Sequence, residues 1–440
     1  MCEIFGNYGW KEGVQLEKYL VDHFMVRGVN HFVPHAFTCS AYPEKDCPPH
    51  FYAQGNNPQY RHFGKLMEYT NRVCNLISGG RAETPVAILY HGEAEWAGKC
   101  MLMQKVSRVC LDNQIDFCFV PADAFAERAF YHTQITDKLT VNGNDFEILV
   151  LPYAQFITPE TAEAIQELHK KGGRVLIVDK LPEGLTNGEP LPNWLGEAVV
   201  VPLGSLHEHL KPYCTVKLVP AGNRIRAMQY HGDEELIYLF NEGNLVYDGM
   251  VKLPLQGELC AYNPWNNCLE ELEVLDGQVK ITLHPSHSLF IVPKKNRPAC
   301  KPLTMHGKMK TLTRFQQSVC CSIDYPAFTK CREIDKLDSY HLTEPGFSGF
   351  IRYETEIESG NGFVGLEITE NCEGVEVFVN GKTAGIQVVA PYRYALTDMC
   401  HPGKNQLVIE VATTLERECG AEENAAPTGL IGQVRLFTED

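Results

Sequence analysis

The sequence predicts a multidomain α/β-plus-β protein: the end of a (β/α) barrel, a doubly wound parallel sheet, and two β-sandwich domains. Three observations carry this. In residues 1–80, polar and aromatic side chains gather where short apolar runs end. From 81 to 211, continuous apolar runs alternate with helix-period segments, as in a parallel sheet covered on both faces. From 212 onward, strand-length runs recur with turn residues about every eight to twelve positions, as in a sandwich.

The chain has 440 residues, 44% hydrophobic and 21% charged. That composition excludes disordered and fibrous classes. No run approaches the roughly 18 apolar residues of a membrane span, and no basic-then-apolar N-terminal stretch reads as a secretory signal. The net charge of −16 repels polyanions, so neither nucleic acid nor a membrane surface is expected as a partner. Seventeen cysteines are scattered without CxxC or zinc-finger spacing, and the adjacent Cys320 and Cys321 suit no simple disulfide scheme. They read as reduced, mostly buried thiols of a cytoplasmic protein with no metal centre and no cofactor.

The opening residues place Glu3 between apolar neighbours, then Gly6, then an aromatic loop with Tyr8 and Trp10. Val14, Leu16, Tyr19, Leu20 and Phe24 follow on one helical face, and Gly28 lies just past its end. Residues 29–37 read as a strand opening into a loop. The Pro- and His-rich stretch from 42 to 60 is a long loop, of a length usually reserved for function or disorder. A second helix runs from 63 to 77, stopped by Gly79 and Gly80. Two βα units cannot close an eight-stranded barrel, which takes about 250 residues. Residues 1–80 therefore read as the last quarter of a (β/α)8 barrel whose earlier strands lie outside this chain.

In residues 81–211, strands are expected at 86–90, 115–120, 146–151 and 174–178, with helices at 101–111 and 159–171. The second helix opens with Thr158 and Pro159, a cap followed by proline in the first turn. The loop from His91 to Gly98 is the expected ligand loop, because such sheets bind at strand C-termini. It lacks the glycine spacings of nucleotide sites, and its two carboxylates repel phosphate. Residues 212–304 read as a small sandwich and a linker. Residues 305–440 read as a second sandwich of the jelly-roll kind, with a hairpin at Asn380-Gly381.

Three stretches carry a resemblance. Val375-Glu376-Val377-Phe378-Val379-Asn380-Gly381-Lys382, then Ala390-Pro391-Tyr392-Arg393-Tyr394, then Pro402 to Ala412 with its GxNxLxIEV pattern, resemble the galactose-binding-like jelly roll of large glycoside hydrolases. Cys2-Glu3-Ile4-Phe5-Gly6-Asn7-Tyr8-Gly9-Trp10 and Arg27-Gly28-Val29-Asn30-His31-Phe32-Val33-Pro34-His35 resemble the barrel end of α-L-rhamnosidase-like enzymes. The middle segment is similar to the flavodoxin-like domain that follows the barrel in some β-galactosidases and serves their oligomer assembly. The resemblance implies the C-terminal portion of a glycoside hydrolase, with an oligosaccharide or glycoside as substrate. It also implies a homo-oligomer or a complementing barrel subunit as partner. The alternative is a non-catalytic carbohydrate-binding or oligomerisation module.

Glycoside hydrolysis usually takes two carboxyl groups flanking the bond. By the resemblance, Glu3 stands where such enzymes place one, at the end of the penultimate barrel strand. Its mate is expected from elsewhere, Glu93 and Glu95 being local but weak candidates that also suit a helix cap. His31 and His35 fall on one side of a strand and suit sugar contact, metal ligation or a structural role. Asp46, His50 and Tyr52 are candidates for the pocket wall. Trp10 and Trp96 are candidates for stacking on a pyranose face, or for packing on a neighbouring helix in the case of Trp10. Tyr392 and Tyr394 suit either a sugar platform or a core.

Overall fold

The structure, a computed structural model, describes residues 1–193, 195, 198–371, 373–420 and 426–439. Its five-stranded middle sheet is parallel throughout. In chain order its strands are Val86–Tyr90, Phe117–Pro121, Ile148–Leu151, Arg174–Val178 and Val199–Val201. They lie side by side as 2-1-3-4-5, the flavodoxin-like order. Alternation explains the unbroken apolar runs. Ala87, Leu89, Leu149, Leu151 and Ile177 enter one buried cluster, and Val86, Ile88, Ile148, Val150 and Val178 enter another on the opposite face. The helix Pro159–Lys170 starts where expected: Thr158 Oγ1 accepts a hydrogen bond from the Thr161 amide at 3.2 Å.

Two antiparallel sheets follow. A four-stranded sheet from Lys217–Val219 onward and a six-stranded sheet built around Ile225–His231, Glu235–Asn241 and Ser288–Pro293 share an apolar core. A second pair shares another core, filled by Ile351, Tyr353, Val377, Leu407 and Ile409. The hairpin between Val375–Val379 and Lys382–Gln387 turns at Asn380 (φ 51°) and Gly381 (φ 79°), the left-handed pair such a turn requires.

Among the described residues the first 80 form no closed barrel. They hold one parallel pair, Cys2–Ile4 beside Phe32–Pro34, and the helices Val14–Met25 and Tyr60–Leu76. The second strand is shorter than expected because its partner ends early: Phe5 turns into the left-handed region (φ 74°), so the ladder cannot lengthen. The helices do not stand alone. Val14, Val21, Met25, Leu66, Tyr69 and Val73 share one core with Met228, Tyr238, Phe240 and Phe290 of the six-stranded sheet. Arg81–Ala82 pairs with Tyr230 and His231, adding an edge strand to that sheet. Within the shared core, Asp22 accepts hydrogen bonds from Tyr69 (2.6 Å) and Tyr238 (2.5 Å) and pairs with Lys18.

The same helices dock on the C-terminal sheets. Gln59 donates to the carbonyls of Ala412 (3.1 Å) and Thr413 (2.9 Å), and Arg61 pairs with Glu376 at 2.8 Å. No helix among the described residues is long and apolar enough to cross a membrane. The sixteen described cysteines are free thiols, but only Cys110, Cys260 and Cys320 are buried, which corrects the expectation of mostly buried thiols.

Candidate functional site

Glu3 and Val33 are cross-strand partners in the parallel pair. Period-two alternation then places Glu3, His31, Val33 and His35 on one face, and Cys2, Ile4, Phe32 and Pro34 on the other. The second face is covered, with Ile4 buried in the shared core and Phe32 packed against it. The first face is open. The Glu3 side chain is 72% exposed, and Val33 and His31 are exposed beside it. His31 and His35 therefore do share a side, as their spacing predicts.

His35 comes nearest to Glu3, with Nδ1 3.7 Å from Oε1. That is an electrostatic contact, too long for a hydrogen bond. On the far side of the His35 ring, Nε2 is buried without a partner. The His50 ring lies 5.7 Å away, tilted by 37°. His50 Nε2 donates to the Asp46 carbonyl at 2.8 Å, and its Nδ1 is buried without a partner. Asn57 holds the His50 carbonyl at 3.0 Å and so fixes the loop.

The long loop thus folds its Asp46–His50 stretch against the strand ends. Cys47 donates weakly to Asp46 Oδ1 at 3.5 Å. Desolvation, together with the carboxylates of Asp46 and Glu3, pushes the Cys47 thiol up from its ordinary value. Gly6 borders the same space: a Cβ there would stand 3.5 Å from His35 Cγ and 3.7 Å from Glu3 Oε1. Phe5, Asn7, Cys47, His50, Ala53 and Gln54 all have left-handed backbone. Such a concentration of sparsely populated conformations is typical of sites whose geometry the surroundings impose.

Tyr52 is half-exposed and meets Tyr60 edge-on at 5.1 Å, and Phe37 meets Tyr60 at 6.1 Å. This makes a solvent-facing aromatic group on the same loop. Trp10 is half-buried. Glu93, Glu95 and Trp96 sit elsewhere, on the short helix Gly92–Ala97 beyond the first strand of the middle sheet. Trp96 is 86% exposed there, and Glu93 Oε2 is buried without a partner. Among the described residues no hydrogen bond, ion pair or ring contact joins this helix to Glu3.

Sequence reasoning missed Glu44 and Cys47 and named Gly6 without a place beside Glu3. Glu44 is held below the usual carboxylate range by hydrogen bonds from Ser40 and the Asp46 amide. The only signal for Glu44 and Cys47 was the unusual length of their loop. The platform reading of Tyr392 and Tyr394 is corrected. Both are buried in the core, and their hydroxyls donate to the carbonyls of Glu373 (3.0 Å) and Val375 (2.9 Å). Among the described residues no group of three His, Cys, Asp or Glu side chains is arranged to hold a metal ion.

No protein-family model matches the sequence, and no curated protein matches it. Among solved structures, a rhamnosidase from Novosphingobium sp. PP1Y aligns with a TM-score of 0.69 at 17% identity, over 98% of this chain and 46% of that one. A β-galactosidase from Bacillus circulans sp. alkalophilus aligns with a TM-score of 0.47 at 10% identity, over 67% of this chain and 55% of that one. The chain has a glycoside-hydrolase-like fold, and it spans less than half the length of that rhamnosidase.

Proposed function

We propose that this chain supplies one wall of a glycoside hydrolase active site, with Glu3 as a catalytic carboxylate and an oligosaccharide or glycoside as substrate. The observation that carries the reading is the open sheet face. Glu3 projects from a parallel strand pair whose other face is covered by core, beside two histidines with unspent ring nitrogens. In this reading the face is the inner surface of a (β/α) barrel, and further strands, on a complementing subunit or segment, bring the second carboxyl group. A carboxyl separation of about 5–5.5 Å would make the reaction retaining, and about 6.5–9.5 Å inverting. His31, His35 and His50 contact sugar hydroxyls, Asp46 and Tyr52 line the wall, and Trp10 stacks on a ring. The Glu93–Trp96 helix borders a more distant subsite. The sheets of 305–440 take the part of a galactose-binding-like jelly roll, and the middle sheet that of an assembly domain.

Hydrolysis of a panel of aryl glycosides, α-L-rhamnosides and β-D-galactosides included, by the chain joined to the strands that complete the barrel tests this. Turnover is expected to disappear in Glu3→Gln with the thermal midpoint unchanged, because the side chain is exposed. Turnover that survives Glu3→Gln refutes the assignment. One observation favours a second reading, a non-catalytic carbohydrate-binding or assembly module. A carboxylate 72% exposed to water is not pre-organised for catalysis. That reading predicts oligosaccharide binding by calorimetry without turnover.

A further inference from the structure

The geometry points to a second ligand site, for a single neutral sugar ring or a similar compact polyol, in a cavity where the helices, the six-stranded sheet and the end of the strand Lys382–Gln387 meet. The cavity measures about 180 Å³. Pockets for drug-sized ligands run from roughly 300 to 1,000 Å³, so this one admits one ring and no chain. It is built from positions scattered along the chain, among them Lys18, Tyr69, Trp265, Glu270, Ser288 and Gln387. None of these belongs to the Glu3 face.

Its walls mix two aromatic rings with unspent polar groups. Tyr69 and Trp265 lie 5.6 Å apart, ring to ring, and both are nearly buried. The Trp265 indole N–H is already committed to the Ile386 carbonyl at 2.8 Å, so the residue offers its ring surface and not its donor. The Lys18 ammonium bonds Asp22 and the Ser286 carbonyl and stands 4.7 Å over the Tyr69 ring, so it places positive charge at the cavity wall. Glu270 accepts from Asn263 through Oε1 at 2.7 Å, and Oε2 has no partner among the described residues. The Gln387 side-chain amide makes no hydrogen bond among them either. Ser288 Oγ lies near the Tyr69 and Tyr238 hydroxyls but is buried without a hydrogen bond of standard geometry.

Donors and acceptors of both kinds, set between ring faces, match a molecule that is hydroxylated on its rim and apolar on its faces. Charge narrows the choice further. Glu270 repels an anion, and Lys18, although paired, disfavours a cation. A neutral polyol can give a hydroxyl proton to Glu270 and accept from the Gln387 amide. Because three parts of the structure contribute walls, occupancy stabilises their junction through mass action.

The test is calorimetry and tryptophan fluorescence of the full chain with free L-rhamnose, D-galactose and D-glucose, with D-glucuronate and D-glucosamine as charged controls. A neutral sugar is expected to bind and to raise the thermal midpoint. Glu270→Ala and Gln387→Ala are each expected to weaken binding at least about tenfold, as for loss of a hydrogen bond involving a charged or buried group. Neither should shift the midpoint of the unliganded protein much, because Gln387 makes no side-chain bond there and Glu270 accepts only from the Asn263 amide and, weakly, the Cys268 thiol. Glu3→Gln is expected to bind as the parent does, which separates this site from the proposed catalytic face. The inference is overturned if no neutral sugar binds, if binding survives both alanine substitutions, or if a charged control binds more tightly.

Discussion

Replacing Glu17 by glutamine is expected to stabilise this protein at neutral pH. Glu17 lies in the helix Val14–Met25, and Glu12 just precedes it. Both are buried against Glu373, whose carboxyl group sits so close to the helix start that a Cβ on Gly13 would come within 2.6 Å of it. The Gln15 amide donates to Glu373 at 3.1 Å. Both Glu12 oxygens and Glu17 Oε2 have no partner. Burial, with Glu17 and Glu373 beside it, pushes Glu12 up to about 9. Burial and Glu373 push Glu17 to about 8, and burial, with Glu416 adding to it, pushes Glu373 to about 8. An acid whose folded value is raised stabilises fully below its unfolded value of 4.5, and that contribution is lost as pH rises toward the folded value. Each such group tilts stability by about 1.4 kcal/mol per pH unit in that window. Over the two and a half units from 4.5 to 7, Glu17 therefore costs about 3 kcal/mol. Glutamine has the shape of the protonated acid and cannot ionise in either state. Urea-unfolding midpoints of parent and Glu17→Gln, measured at pH 5, 6, 7 and 8, should nearly coincide at pH 5 and diverge upward. Parallel curves, or a variant less stable at pH 7, would refute the argument.

Two further outcomes follow from the same burial. Asp22→Ala is expected to cost about 3–5 kcal/mol, because it leaves the Lys18 ammonium buried beside two tyrosine hydroxyls that have lost their acceptor; an effect below about 1 kcal/mol in urea unfolding would mean that water reaches Lys18 freely. On the acid side, burial holds His62 and His287 down at about 3 and His91 at about 4, so their contribution is present above 6.5 and lost as pH falls toward those values. The buried carboxyls, with Asp116 at about 8 among them, change in the opposite sense. Thermal midpoints should therefore rise from pH 8 to 6.5, rise more slowly between 6.5 and 4.5 where three histidines oppose four carboxyls, and fall below 4.5. A maximum at pH 8 would contradict this.

What the sequence revealed follows from how local each signal is. The run Val86-Ala87-Ile88-Leu89-Tyr90 reads as a fully covered strand because both neighbouring layers demand apolar residues, and the structure returns those bounds. Asn380-Gly381 reads as a hairpin because the turn needs two left-handed residues in a row. The shared side of Glu3, His31 and His35 follows from the strand period and one register, so it too was legible. Glu12 and Glu17 were not. In sequence they look like solvated acids at a helix start, and what buries them lies about 360 positions away. Nor do Lys18, Trp265 and Gln387 give a local sign that they border one cavity. Tyr392 and Tyr394 pattern as strand aromatics, and strand patterning alone does not say which face is covered.

The same contacts explain how two short strands hold a defined face without a barrel around them. Cys2–Ile4 and Phe32–Pro34 bury Ile4 and pack Phe32 into a core completed by the two helices and the six-stranded sheet. That core fixes the outer side of the pair, and the period-two alternation then fixes the direction of Glu3, His31 and His35. The helices are in turn pinned at their starts by Gln59, Arg61 and Glu373, which reach the C-terminal sheets. The orientation of the Glu3 face is therefore set from behind, by the layers outside it. Under the proposed function, a barrel completed on its open side inherits that orientation and needs to supply only the opposing carboxyl group and the exclusion of water.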